Sequence, residues 1–235
     1  MRVFGLTDIG LHRKRNEDMY FVDKDKKIFA VCDGMGGHKG GDVASKLAVE
    51  SIRDNVEFAS ANEMVPALLS AVTRANQIIW GKGKADDDLY EMGTTLTAAA
   101  ICEDTMAVAH VGDSSLFLFR EDELIKITKS HTLAEQMYCD GLLKKEDMRT
   151  NVYNHVLTRA VGVESKVEVD IYEEKVQPGD RVLICTDGLT DMVEDEDIYE
   201  HLAKADDPSE AAQRLLNLAL SRGGLDNITI VLLCI

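Results

Sequence analysis

The sequence predicts a layered α+β domain, with two β-sheets face to face and helices outside them. Three observations carry this expectation. Short apolar runs of strand length recur along the chain, and several are apolar on both alternating faces, as covered strands are. Other stretches place apolar residues at helical spacing. The order is strands, two helices, more strands, then a helix and a last strand, with no repeat or proline-rich linker between them. A pair of sheets with outer helices suits that order, and residues 1–235 read as one domain.

The elements follow in chain order. Apolar runs at 20–22 and 28–32 read as strands. From Asp42, an expected N-cap, the residues Val43, Ala44, Leu47, Ala48 and Ile52 form a helical stripe, and Val65, Leu68, Leu69, Val72, Ala75 and Ile79 form a second. Strands are expected at 95–102, 106–111 and 116–119, separated by turn clusters such as "EDT" and "VGDS". The polar stretch 131–163 is less regular, holds a helix-like "TLAEQMYCDGLL", and reads as a flap over a site. The run 181–186 sets Val182 and Ile184 against Leu183 and Cys185, apolar on both faces. "DPSEAAQRLLNLALSRGG" opens with a cap and a proline and closes on Gly223–Gly224, a helix that a strand at 229–235 follows.

Charge narrows the functions. The net charge is −16, whereas nucleic-acid binding needs a basic footprint. So acidic a chain could handle phosphate only if bound cations inverted the local charge. The five cysteines, Cys32, Cys102, Cys139, Cys185 and Cys234, include no C-x-x-C pair, and all but Cys139 sit in apolar runs. A zinc site or disulfide framework is not expected. No apolar leader and no 18-residue apolar run is present, so a cytoplasmic protein without membrane contact is expected, and nothing suggests an obligate partner over a monomer.

The chemistry gathers where strands end. Aspartates stand at strand edges in "VCDG" (Asp33), "VGDS" (Asp113), "CTDG" (Asp187) and "LDNI" (Asp226), and Asp18 precedes a strand in "RNEDMYF". Each alone is an ordinary turn residue. Together, strand edges can bring them to one rim, where carboxylates repel unless neutralised. Mg²⁺ or Mn²⁺ is the usual neutraliser, and two such ions can share a carboxylate and activate a water. Asp33 could bridge them, with the Gly34 carbonyl as a further ligand.

"RNED" at 15–18, "DGMGGHKGG" at 33–41, "MGTTL" at 92–96, "HVGDSSLFLFR" at 110–120, "GDRVLICTDGLTDMV" at 179–193 and "GGLDNITIVLL" at 223–233 together resemble the bacterial branch of the protein phosphatase 2C family, metal-dependent serine/threonine phosphatases. The resemblance runs from Gly5 to the C-terminus. It implies a four-layer α-β-β-α fold, a central antiparallel β-sandwich flanked by helix pairs. It implies that Asp33 bridges two Mg²⁺ or Mn²⁺ ions with Gly34 as a backbone ligand, and that Asp187 and Asp226 bind the first. Asp18, with Glu17 beside it, serves the second, and Asp113 holds a third, weaker ion with Asp187. An in-line attack by hydroxide bridging the two ions, without a phosphoenzyme, follows from that site. The family's phosphate-binding arginine falls on Arg13, although "HRKR" offers three candidates and a surface arginine is the plainer reading.

The chain departs from eukaryotic members after Asp-Gly, where Met35 replaces a histidine. His38 is then the nearest candidate general acid, the alternatives being a loop histidine touching substrate or a water as acid. His131 and His110 read as structural, Asn227 as orienting the Asp226 loop, and Thr94 and Thr95 as hydrogen-bonded strand residues near the site. Phosphorylated proteins are the implied substrates, with an opposing serine/threonine kinase at the level of the family. An aspartate-nucleophile phosphatase is disfavoured because D-x-D fails at Met35, and a non-catalytic metal-binding regulatory module of the same fold because Asp33, Asp187 and Asp226 are all retained.

Overall fold

Period-two burial builds the molecule. The computed structural model describes residues 1–36, 40–204 and 206–235. The expected acid His38 lies outside the described residues. Strand β3 (Ile28–Met35) shows the pattern best. Ile28, Ala30 and Cys32 pack under helices, whereas Phe29 and Val31 turn the other way, into the space between two sheets. Burying Phe29 completely contributes about 2–3 kcal/mol.

The first sheet runs β2-β3-β5-β6-β9, where β2 is Asp18–Asp23, β5 Leu96–Cys102, β6 Thr105–Val111 and β9 Asp170–Lys175; the two-residue β4 (Gly93–Thr94) pairs with β3. The second runs β1-β11-β10-β7-β8, where β1 is Arg2–Asp8, β7 Ser115–Arg120, β8 Glu123–Lys126, β10 Arg181–Cys185 and β11 Ile228–Cys234. Every pairing between these strands is antiparallel. Helices α1 (Gly41–Asn55) and α2 (Ala61–Ala85) cover the first sheet through Ala44, Ala48, Ile52, Leu68, Val72 and Ile79. On the second sheet lie α6 (Asp195–Ala203) and α7 (Pro208–Ser221), through Ile198, Leu202, Leu215 and Ala219. Two sheets between two helix pairs are the expected four layers.

Four strands escape the sequence pattern, β1, β4, β8 and β9. β4 has only two residues, and the other three are edge strands with one side open to water, as "DIYEEK" shows. Helix α6 also escapes, because "DEDIYEHLA" buries only Ile198 and Leu202. Asp42 is not the cap of α1. That helix starts at Gly41 with Gly40 as N-cap, and the Asp42 carboxylate instead accepts from the Val43 N–H at 2.9 Å inside the first turn. α7 has the expected start: the Asp207 side chain accepts from the Ser209 N–H and Pro208 occupies the first turn.

Between β8 and β9 the chain makes a long excursion containing α3 (Leu133–Cys139) and the single turn α4 (Lys145–Met148). Its base is clamped at His131. The His131 N–H donates to Gly112 O at 2.7 Å, and the Gly112 N–H donates to His131 Nδ1 at 3.0 Å. His131 Nε2 lies 3.1 Å from Asp170 Oδ2, while Arg159 donates to Asp170 Oδ1 at 2.6 Å. His110 is fully buried in β6 beside it, and burial pushes its pKa down to about 3. Both histidines have the structural surroundings expected of them.

Candidate active site

One end of the sandwich is polar because several inward-facing stripes change character there together. In β2, Tyr20 and Val22 pack against the inter-sheet core and Asp18 is the next residue in that stripe. In β3 the stripe runs Phe29, Val31, Asp33; in β11 it runs Leu233, Val231, Thr229, Asn227. Asp18 and Asp33 are register partners on adjacent strands. Asp33 is thus not at the end of its strand, as the apolar run suggests, but two residues inside it, because pairing with Thr94 and Gly93 prolongs β3 to Met35.

Hydrogen bonds fix this rim. The Asp33 N–H donates to Thr95 Oγ1 at 2.9 Å, and the Asp33 carbonyl accepts from Thr94 Oγ1 and the Thr95 N–H, both at 2.8 Å. Thr186 Oγ1 donates to Asp18 Oδ2 at 2.8 Å. The Asn227 amide donates to the carbonyls of Ile9 and Arg15, and its Oδ1 accepts from the Glu17 N–H, fastening the Asp226 loop to the 9–17 segment. Gly34 has a steric reason: a Cβ there would collide with the backbone of Gly41 and Glu17. Chain approaching chain therefore explains this glycine without a ligand.

A cleft of about 1650 Å³ opens over the rim, and Arg13, Glu17, Asp33, Gly34, Asp113, Asp187, Asp191 and Asp226 line it. Lys145, Glu146, Arg149 and His155, from the β8–β9 excursion, line it as well, as do Glu194, Asp195 and Glu196. Asp18 does not line it; it is buried beneath. Burial holds the Asp33 carboxyl well above the usual carboxylate range, and Asp18, Asp187 and Asp113 add repulsion. Asp113 is raised by burial and then by Asp187 and Asp191. Burial pushes Asp18 up to about 7 despite hydrogen bonds from Thr229 and Thr186. Arg13 lies at the rim, where its Nη2 donates to Asp226 Oδ2 at 2.6 Å.

Sequence reasoning missed the group around Asp191. His155 Nδ1 lies 3.5 Å from Asp191 Oδ2 and 3.9 Å from Asp187 Oδ2. The Asp187 carboxylate first, then Asp191, raises His155 to about 9, while burial pushes Asp191 up to about 7. Arg149 donates to the Asp191 carbonyl at 2.7 Å and pairs with Glu194. Asp191 stands inside the quoted "DGLTDMV", so a signal was present; His155 and Arg149 sit in irregular chain and gave none.

The residues fit a divalent-cation centre. Among the described residues, the buried Oδ1 atoms of Asp18 and Asp187 have no hydrogen-bond partner. Orphaned, desolvated carboxylate oxygens beside further carboxylates need positive charge, and hard cations with oxygen ligands supply it. A rim of carboxylates fit for divalent cations, with an arginine at its edge, is the arrangement used by metal-dependent phosphoester hydrolases.

Comparison with known proteins narrows the class. The protein phosphatase 2C family profile matches residues 12–219. The serine/threonine phosphatase stp of Listeria innocua is 39% identical over 233 residues, covering 96% of this chain and 92% of that protein. The crystal structure of the Mycobacterium tuberculosis serine/threonine phosphatase PstP/Ppp superposes with a TM-score of 0.93 at 34% identity, covering 98% of this chain and 97% of that one. The catalytic domain of PstP in complex with two manganese ions superposes at 0.90, with 35% identity over 98% of this chain and 96% of that one. The chain belongs to the protein phosphatase 2C family. Membership makes it a protein phosphatase, a hydrolase of phosphoproteins.

Proposed function

We propose that this protein hydrolyses phosphoserine and phosphothreonine in proteins with two Mg²⁺ or Mn²⁺ ions, and that it opposes a serine/threonine kinase in the cytoplasm as a monomer. Residues 1–235 are one catalytic unit and 131–163 its flap. Asp33 would serve both ions, with the Gly34 carbonyl as a further ligand; Asp187 and Asp226 would hold the first, and Asp18, with Glu17 beside it, would serve the second or its waters. Asp113 and Asp187 would hold a weaker third. When bound, the ions lower the pKa of water and offset charge on the phosphoryl oxygens.

The chain's own groups do the rest. The Thr94 and Thr95 bonds hold Asp33 still, so no reorganisation is needed during reaction. Arg13 presents two N–H groups to the phosphoryl oxygens in place of Asp226. Lys145, Arg149 and His155 bring positive charge among the carboxylates of the cleft, where an anionic substrate enters. His38 serves as proton donor to the leaving alkoxide.

The carrying observation is the pair of orphaned oxygens on Asp18 and Asp187 beside Asp33. The test is hydrolysis of phosphoserine and phosphothreonine peptides with Mn²⁺ added or chelated, in wild type and Asp33→Ala. Turnover is expected only in the metal-loaded wild type. Metal-independent turnover, a fully active Asp33→Ala, or an acid-stable phosphoenzyme overturns the proposal.

A further inference from the structure

Of the five cysteines, Cys32 and Cys185 are buried, Cys102 and Cys234 are half-buried, and Cys139 is exposed. Burial raises the Cys32 and Cys185 thiols, the latter to about 12, so the thiolate that oxidants attack is suppressed at both. Cys139 ends α3, and its Sγ lies 2.8 Å from Lys129 Nζ and 3.8 Å from Glu135 Oε1. Lys129 Nζ is also 3.8 Å from Glu135 Oε1, closing a triangle of thiol, ammonium and carboxylate on the surface. Nitrogen and sulfur are already inside the roughly 3–3.5 Å separation of reacting atoms.

We propose that Cys139 and Lys129 form a reversible oxidative cross-link, a sulfenamide, when the protein meets hydrogen peroxide. The Cys139 thiolate attacks the peroxide. An S–O bond forms, the O–O bond breaks, sulfur loses two electrons, and the departing hydroxide takes a proton to become water. Lys129 passes one proton to Glu135 or solvent, and its lone pair attacks the sulfenic sulfur. The N–S bond forms, the S–O bond breaks, and the hydroxyl leaves as water with a second proton from nitrogen. One thiol, one amine and one peroxide give one sulfenamide and two waters; excess thiol reverses it. The backbone N–H of Lys129 is held by Tyr172 Oη at 3.2 Å. The link therefore fastens the end of α3 to a fixed point at the base of the excursion that carries Lys145, Arg149 and His155. It requires no assumption about the reaction in the cleft.

The test is tryptic mass spectrometry of the full chain after hydrogen peroxide. In the oxidised wild type, residues 127–144 are expected as one peptide, uncut after Lys129, lighter by two hydrogens and resistant to alkylation. Dithiothreitol restores cutting and alkylation. In Lys129→Arg the link is absent and dimedone labels Cys139 several-fold more, because the sulfenic acid is no longer consumed; Cys139→Ser shows neither signal. Complete cleavage after Lys129 in the oxidised wild type, or equal dimedone labelling in wild type and Lys129→Arg, overturns the proposal.

Discussion

Asp18→Asn is expected to stabilise the metal-free protein at pH 8 and weaken its response to metal. Asp18 is almost completely buried, and its carboxyl stands at about 7 in the fold against 3.8 for the ordinary group. A raised carboxyl binds its proton more tightly when folded, so stability falls as pH rises from near 4 to near 7 and stays low above that. At roughly 1.4 kcal/mol per pKa unit the ionised group costs about 4 kcal/mol at pH 8 and about 1–2 kcal/mol at pH 5. Asparagine removes this cost at both pH values. Its amide still accepts from Thr186, but it puts an NH₂ where Oδ1 has no partner, a penalty of about 1–3 kcal/mol that pH does not change. The gap between variant and wild type should therefore widen by about 3 kcal/mol from pH 5 to pH 8, which is about 6–12 °C in a chain of this size. The assay is thermal unfolding in chelator at both pH values, repeated with Mn²⁺. Manganese should stabilise the wild type more than the variant at pH 8. A gap that does not change with pH, or equal stabilisation by Mn²⁺, refutes the reasoning.

Arg13→Ala removes a charge-assisted contact of about 1.5–3 kcal/mol, so kcat/KM for a phosphopeptide should fall about 10- to 150-fold and inhibition by inorganic phosphate should weaken in parallel. Asp180 is 1% exposed and holds Arg120 by two hydrogen bonds, at 2.9 and 2.5 Å. Asp180→Ala should cost about 3 kcal/mol in denaturant unfolding and leave Mn²⁺ affinity unchanged, because the pair lies away from the cleft. Gly34→Ala forces a methyl against the backbone of Gly41 and Glu17 and should yield unfolded or insoluble protein, whereas Gly81→Ala, which meets nothing within 4 Å, should fold normally with a Tm no lower than wild type. His131→Ala frees the Gly112 N–H next to Asp113 and should weaken the lowest-affinity step of a Mn²⁺ titration by calorimetry before it changes the tighter ones.

Much of the fold was legible because buried strands leave a two-residue signature. Val182 and Ile184 against Leu183 and Cys185 already say that β10 is covered on both faces, and it separates the inter-sheet core from the core under α7. Edge strands leave no such mark, because one side faces water and tolerates any polar residue, as "DIYEEK" does. Asp18, Asp33, Asp113, Asp187 and Asp226 were recognisable as strand-edge carboxylates, and the tertiary structure brings them to one end. Asp191 stands inside a legible motif, but His155 and Arg149 carry no local signal, since their role comes from meeting Asp191 across a long stretch of sequence that includes β9 and β10.

The amino-acid order alone determined which residues alternate, where α7 starts and stops, and that several aspartates follow apolar runs. Those are local properties, set by a residue's own neighbours along the backbone. Only the tertiary structure decided that Asp18 faces Asp33 in register and that two carboxylate oxygens end up dry and without donors. Desolvation and repulsion depend on what surrounds a group in space, and that environment exists only once distant strands have paired.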